Sequence, residues 1–166
     1  MSLVKPEILY SASQNRNINI FEPKAITFRD PNEGPVVFAT PDKAYASMFI
    51  VPSDDSWTNK GQYQGQYYQI ISDKNRYKNL DKGGAIYTFK SDDFETDLTK
   101  GIKNKEWISK KPVKPINKEI YESGLEAMKQ LGVRIFFVNP DIFEDFRQKL
   151  KNGMIKKAFG LIPINQ

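Results

Sequence analysis

Between Val36 and Val51 the chain changes its hydrophobic period within two residues, and that switch limits the folds open to it. Val36-Val37-Phe38-Ala39 is a continuous apolar run, the pattern of a buried strand. Thr40 and Pro41 interrupt it. Thr40 stands where a helix is capped, and Pro41 suits the first helical position, where a missing N–H costs nothing. Ala44, Tyr45, Met48 and Phe49 then recur at helical spacing, with a stop expected before Pro52. A buried strand feeding straight into a short helix predicts a mixed fold.

The rest of the chain decides which mixed fold. Ile8-Leu9-Tyr10 reads as a strand running into the polar cluster Ser11 to Asn17, and Ile18 to Phe21 is a short run closed by Pro23. Arg29 to Pro35 is a turn cluster. From Ser53 to Gln69 the chain is polar and rich in Tyr, Gln, Gly and Asp, which predicts a loop leading to a strand over 67–72. Asp81 to Gly84 is a turn opening a strand over 85–89, and Ser91 to Phe94 is a turn or a short helical start. Strand candidates follow at 106–109 and 113–121; Pro112 and Pro115 make the second an edge or irregular strand. Ser123 and Glu126 have the spacing of a capping box before a helix ending at Gly132. Val133 to Val138 reads as a strand, and Asn139-Pro140 starts a last helix with Ile142, Phe143, Phe146 and Leu150 inward. Regular alternation of strand and helix is missing, so the expectation is α+β, with residues 1–166 as one domain.

Composition narrows the chemistry. None of the 166 residues is cysteine or histidine, which removes disulfides, thiolate nucleophiles, Cys/His zinc sites and imidazole as base or ligand. What remains is Ser, Thr, Tyr, Lys, Arg, Asp, Glu and the backbone. The net charge of +5 suits an anionic partner such as a nucleotide, a nucleic acid or a membrane surface, and does not choose among them. The densest basic stretch is Lys100, Lys103, Lys105, Lys110, Lys111, Lys114 and Lys118, with Glu106 inside it; Trp57, Tyr63, Tyr67 and Tyr68 near Lys60, Lys74 and Arg76 suggest a stacking surface for single strands. No apolar run approaches the roughly 20 residues that span a bilayer, and Met1 to Pro6 has no secretory pattern, so the expectation is a cytoplasmic protein without a membrane partner. No metal is implied.

Three stretches taken together carry a resemblance: Ile8 to Ser13, Gly34 to Tyr45, and Glu106-Trp107-Ile108-Ser109. Their order resembles the ADP-ribosyltransferase superfamily, in particular small bacterial and phage proteins similar to its diphtheria-toxin-like, poly(ADP-ribose)-polymerase-like and RNA 2'-phosphotransferase branches. In those families a first strand bears histidine and glycine, a second leads through an aromatic step into a helix, and a late strand opens with glutamate. The resemblance covers residues 8 to 109. It implies two small, mostly antiparallel sheets around a cleft with flanking helices, and NAD or a related nucleotide as ligand.

Residue by residue, the resemblance departs from the family. Ser11 stands at the ribose-binding histidine, Ala12 at the following glycine with Ser13 beside it, and Val37 at the tyrosine that stacks on nicotinamide; Tyr45 is the nearest replacement aromatic. Glu106 alone keeps its functional identity, as the carboxylate that stabilises an oxocarbenium-like ribose through its 2'-hydroxyl. The implied function is nucleotide binding with weak or absent ADP-ribosyl transfer. The alternative is a non-enzymatic module that binds nucleic acid or a protein partner through the basic strands.

Overall fold

The computed structural model describes residues 4–24, 32, 34–97 and 105–162. In chain order the elements are β1 (Ile8–Ser13), β2 (Val37–Ala39), α1 (Lys43–Ser47), β3 (Thr58–Tyr63), β4 (Gln66–Ile71), α2 (Lys74–Leu80) and β5 (Gly84–Lys90). They continue with β6 (Trp107–Ser109), β7 (Asn117–Tyr121), α3 (Gly124–Gln130), β8 (Arg134–Phe137), α4 (Pro140–Lys151) and α5 (Ile155–Gly160). The class is α+β, as expected. The turn cluster Arg29 to Pro35, Lys100 and Lys103 fall wholly or partly outside the described residues.

Among the described residues three sheets form: β1–β5–β7, β2–β6 and β3–β4–β8. The first two are joined where Tyr10 and Thr40 exchange backbone hydrogen bonds of 2.7 and 2.8 Å, giving one surface in the order β6–β2–β1–β5–β7. The pair β4–β8 is parallel and every other ladder is antiparallel. The molecule thus has two sheet surfaces. Side chains of α1 and α3 occupy the space between them: Tyr45, Met48 and Met128 meet Tyr67 and Ile71 of β4, while Ala46 and Ala127 meet Ile86 of β5.

Alternation along β1 sorts its residues between two cores. Leu9 packs with Val37, Ala39, Tyr87, Phe89 and Trp107 on the outer face, whereas Tyr10 and Ala12 lie against Ala46, Ile50 and Ile86 on the helix face. A third cluster, built from Tyr68, Ile70, Phe136, Phe143 and Phe146, lies under α4 and α5. Fully burying a side chain such as Leu9 or Ile70 contributes roughly 1.5–3 kcal/mol, so these clusters hold the elements in place.

Several local expectations change. Asp42, not Thr40, caps α1, accepting from the Ala44 amide at 3.0 Å; Thr40 instead receives the Asp42 amide at 3.1 Å, a turn that delays the helix past Pro41. The predicted loop over 53–69 is largely the hairpin β3–β4, closed by Gln64 (φ 52°) and Gly65 (φ 79°), a two-residue turn that suits the twist of its strands. The strand expected over 113–121 is β7 alone; Val113 makes an isolated bridge with Phe21.

The start of α3 is fixed by one carboxylate. Asp81 accepts from the amides of Gly83 (3.1 Å), Gly124 (2.7 Å) and Leu125 (3.0 Å) and from the Ser123 hydroxyl (2.8 Å). Burial alone would raise its pKa; the four donors outweigh that and hold it below the usual carboxylate value. Gly83 makes this approach possible: its φ is 69°, and a Cβ there would lie 2.2 Å from the Tyr121 carbonyl.

Candidate functional site

Glu106 immediately precedes β6. Trp107 faces the outer core, so the residue before it projects to the helix face, where α1 passes. There the Tyr45 hydroxyl donates to Glu106 Oε1 at 3.1 Å. The capping of α1 by Asp42 sets where Tyr45 falls, and Asp42 also faces Lys105 Nζ across 3.4 Å. Helix start and strand start are therefore tied twice.

Tyr45 does not present an open ring. It is 8% exposed, with its ring 5.3 Å from Phe49 and 5.4 Å from Tyr67. What it offers the site is its hydroxyl. The exposed aromatic beside it is Phe49, at 47%. Behind Tyr45, Tyr67 and Gln69 share one face of β4, and both are buried with polar atoms that reach no hydrogen-bond partner: the Tyr67 hydroxyl and both ends of the Gln69 amide. Burial raises the Tyr67 phenol well above its ordinary pKa, and nearby Asp42 adds to the rise without a well-directed hydrogen bond to the hydroxyl.

The other expected site residues are not brought to Glu106. Ser11 and Ser13 alternate with Ala12 and lie opposite Tyr87 and Ala85 of β5, on the outer face with Leu9. The Tyr10–Thr40 bridge puts Tyr10 and the end of β2 on the face used by Glu106, so the side chains at 11 and 106 point to opposite sides of the sheet. Ser11 and Glu106, which the resemblance assigns to one ribose site, therefore do not face one another. Ala12 packs on the helix face beneath Ile50 and Ala46, and Val37, 4% exposed, is part of the outer core. A hollow of about 440 Å³ between Lys5–Ile8 and Lys90–Asp92 is lined by none of Ser11, Tyr45 and Glu106.

Sequence reasoning placed Asp42 in the first turn of α1 rather than at its cap, and missed Lys105 as its partner and the buried placement of Tyr67 beside Gln69. Asp in the first turn after Thr-Pro is a capping signal that points to Asp42. The β4 pair has no comparable local signal. Among the described residues no group of three or more acidic side chains could hold a metal ion, and no helix is long and apolar enough to cross a membrane. No protein-family model, curated protein or solved structure matches the chain.

Proposed function

We propose that this chain is an ADP-ribosyltransferase-like protein that binds NAD or a related nucleotide beside Glu106, with weak or absent ADP-ribosyl transfer. The observation that carries the reading is the hydrogen bond from Tyr45 to Glu106, because it joins the helix after the second strand to the head of the late strand. Support also comes from the order β6–β2–β1, which sets side by side the three stretches that bear the resemblance.

In this reading Glu106 accepts the 2'-hydroxyl of the nicotinamide ribose and stabilises positive charge as the glycosidic bond lengthens. Tyr45 acts as a positioning residue: its hydroxyl fixes one carboxylate oxygen. With Ser11 on the far face and Val37 in the core, neither the ribose-orienting donor nor the nicotinamide stack expected of an efficient transferase is supplied from those positions. Binding then outlasts catalysis.

The test is calorimetric titration with NAD, followed by measurement of nicotinamide release. Binding at concentrations on the order of 1 mM or below is expected, weakened about tenfold by Glu106→Gln, the loss of a hydrogen bond to a charged group. No binding, or binding indifferent to the substitution, rejects the proposal. Oligonucleotide binding that falls steeply with salt, through the exposed Lys110, Lys111, Lys114 and Lys118, would favour the nucleic-acid module instead.

A further inference from the structure

A second cluster lies on the loop between α1 and β3 and on β3 itself. Lys60 Nζ donates to Ser53 Oγ at 2.7 Å, and the Thr58 hydroxyl lies 3.1 Å from the same oxygen and 3.0 Å from the Asp54 carbonyl. Thr58 and Lys60, two residues apart on β3, share a face, which is why both reach Ser53. Asp54 folds the loop back by accepting from the Ser56 amide at 2.8 Å and from the Ser56 hydroxyl.

We propose that Ser53 and Lys60 form a nucleophile–base dyad that cleaves neutral aryl or short-chain acyl esters. The heavy-atom distance is that of a serine beside its general base, and lysine fills this role where its ammonium is poorly solvated. Lys60 meets that condition: burial lowers its pKa to about 8, against the opposing pull of Asp55 and Asp54. The groups facing it are these two carboxylates from the loop and, on the other side, the Phe49 ring at 5.3 Å; Arg76 of α2 stacks on Trp57 at 4.4 Å and acts on Asp54. A substantial neutral fraction of Lys60 therefore exists in mildly alkaline solution.

The steps balance without a cofactor. Neutral Lys60 takes the Ser53 proton as Oγ bonds to the acyl carbon; the ester C–O bond breaks, and Lys60 passes that proton to a departing alkoxide or, where a stable nitrophenoxide leaves, to solvent. Water, deprotonated by Lys60, then attacks the acyl-serine, releasing carboxylic acid and restoring the Ser53 hydroxyl. Phe49, half exposed beside Lys60, offers the apolar contact for an aryl or acyl group, and Asp54 with Asp55 disfavours anionic esters.

The test uses the whole chain with p-nitrophenyl acetate, and with a fluorophosphonate label located by peptide mass mapping. The label is expected on Ser53, with hydrolysis rising through a midpoint near pH 8. Ser53→Ala should abolish both, and Lys60→Met and Lys60→Arg should each lower the rate on the order of a hundredfold. Lys60→Arg keeps the positive charge and the stem, so its loss of rate with an unchanged melting temperature separates base catalysis from a merely structural ion. Labelling that persists in Ser53→Ala, an adduct on Lys60 rather than Ser53, a rate no higher than that of the unfolded chain, or full activity in Lys60→Arg would each overturn the dyad.

Discussion

Asp81 and the β4 wall behind Tyr45 treat buried polar groups in opposite ways. Asp81 sits among four donors at 2.7 to 3.1 Å; three of them, from Ser123, Gly124 and Leu125, belong to the start of α3, and the Gly83 amide closes the turn into β5. Both ends of the Gln69 amide are enclosed without a hydrogen-bond partner, and the Tyr67 hydroxyl has only the nearby Asp42 carboxylate. A saturated carboxylate strengthens the fold; idle polar atoms weaken it, since each loses water without a replacement. Gln69 stands opposite Lys60 in the β3–β4 register, and the Tyr67 ring lies 5.4 Å from that of Tyr45.

The contrast can be broken by substitution. Asp81→Ala should have the largest effect, a loss of about 3 kcal/mol in urea unfolding, because three amides and a hydroxyl lose their acceptor. Its pH dependence has a definite sign. The folded pKa is depressed, so the contribution is complete above the unfolded carboxylate pKa and fades as pH falls through the folded one; acid unfolding of the wild type should steepen there and flatten in Asp81→Asn. A smaller loss, about 1–2 kcal/mol, is expected of Tyr87→Phe, whose hydroxyl donates to the Asn15 carbonyl at 2.6 Å and accepts from the Ile18 amide at 3.1 Å.

On the other side of the comparison the sign reverses. Gln69→Leu should raise stability by about 1 kcal/mol, read as a higher urea midpoint at constant slope; a destabilisation would show that the amide has a partner after all. The smallest change belongs to Tyr67→Phe, within about 0.5 kcal/mol of zero in melting experiments, against the clear loss at Tyr87. Equal losses at the two tyrosines would erase the distinction between the regions.

Strong local patterns were legible. The run Val36 to Ala39, the capping pair Ser123 and Glu126, and Asn139-Pro140 each announce their element, and Ser123 does accept from the Glu126 amide at 3.2 Å. Elements with weak apolar content were not: α2 buries only Tyr77, and β3 reads Thr-Asn-Lys-Gly-Gln-Tyr, so neither shows a hydrophobic period. At the candidate site, Glu106 and Tyr45 were both singled out from sequence, but the side of the sheet taken by Ser11 depends on a bridge between Tyr10 and Thr40, thirty residues apart. Shifting such a pairing by one residue reverses every side chain, and nothing local encodes it.

The parallel neighbour of β4 arrives late. Sixty-two residues separate Ile71 from Arg134, and until that last strand is synthesised Ile70 and Tyr68 border an unfinished ladder. A nascent chain halted near Gly132 would expose a sticky rim able to recruit another copy, so ribosome-bound truncations should aggregate until β8 and α4 emerge to seal it.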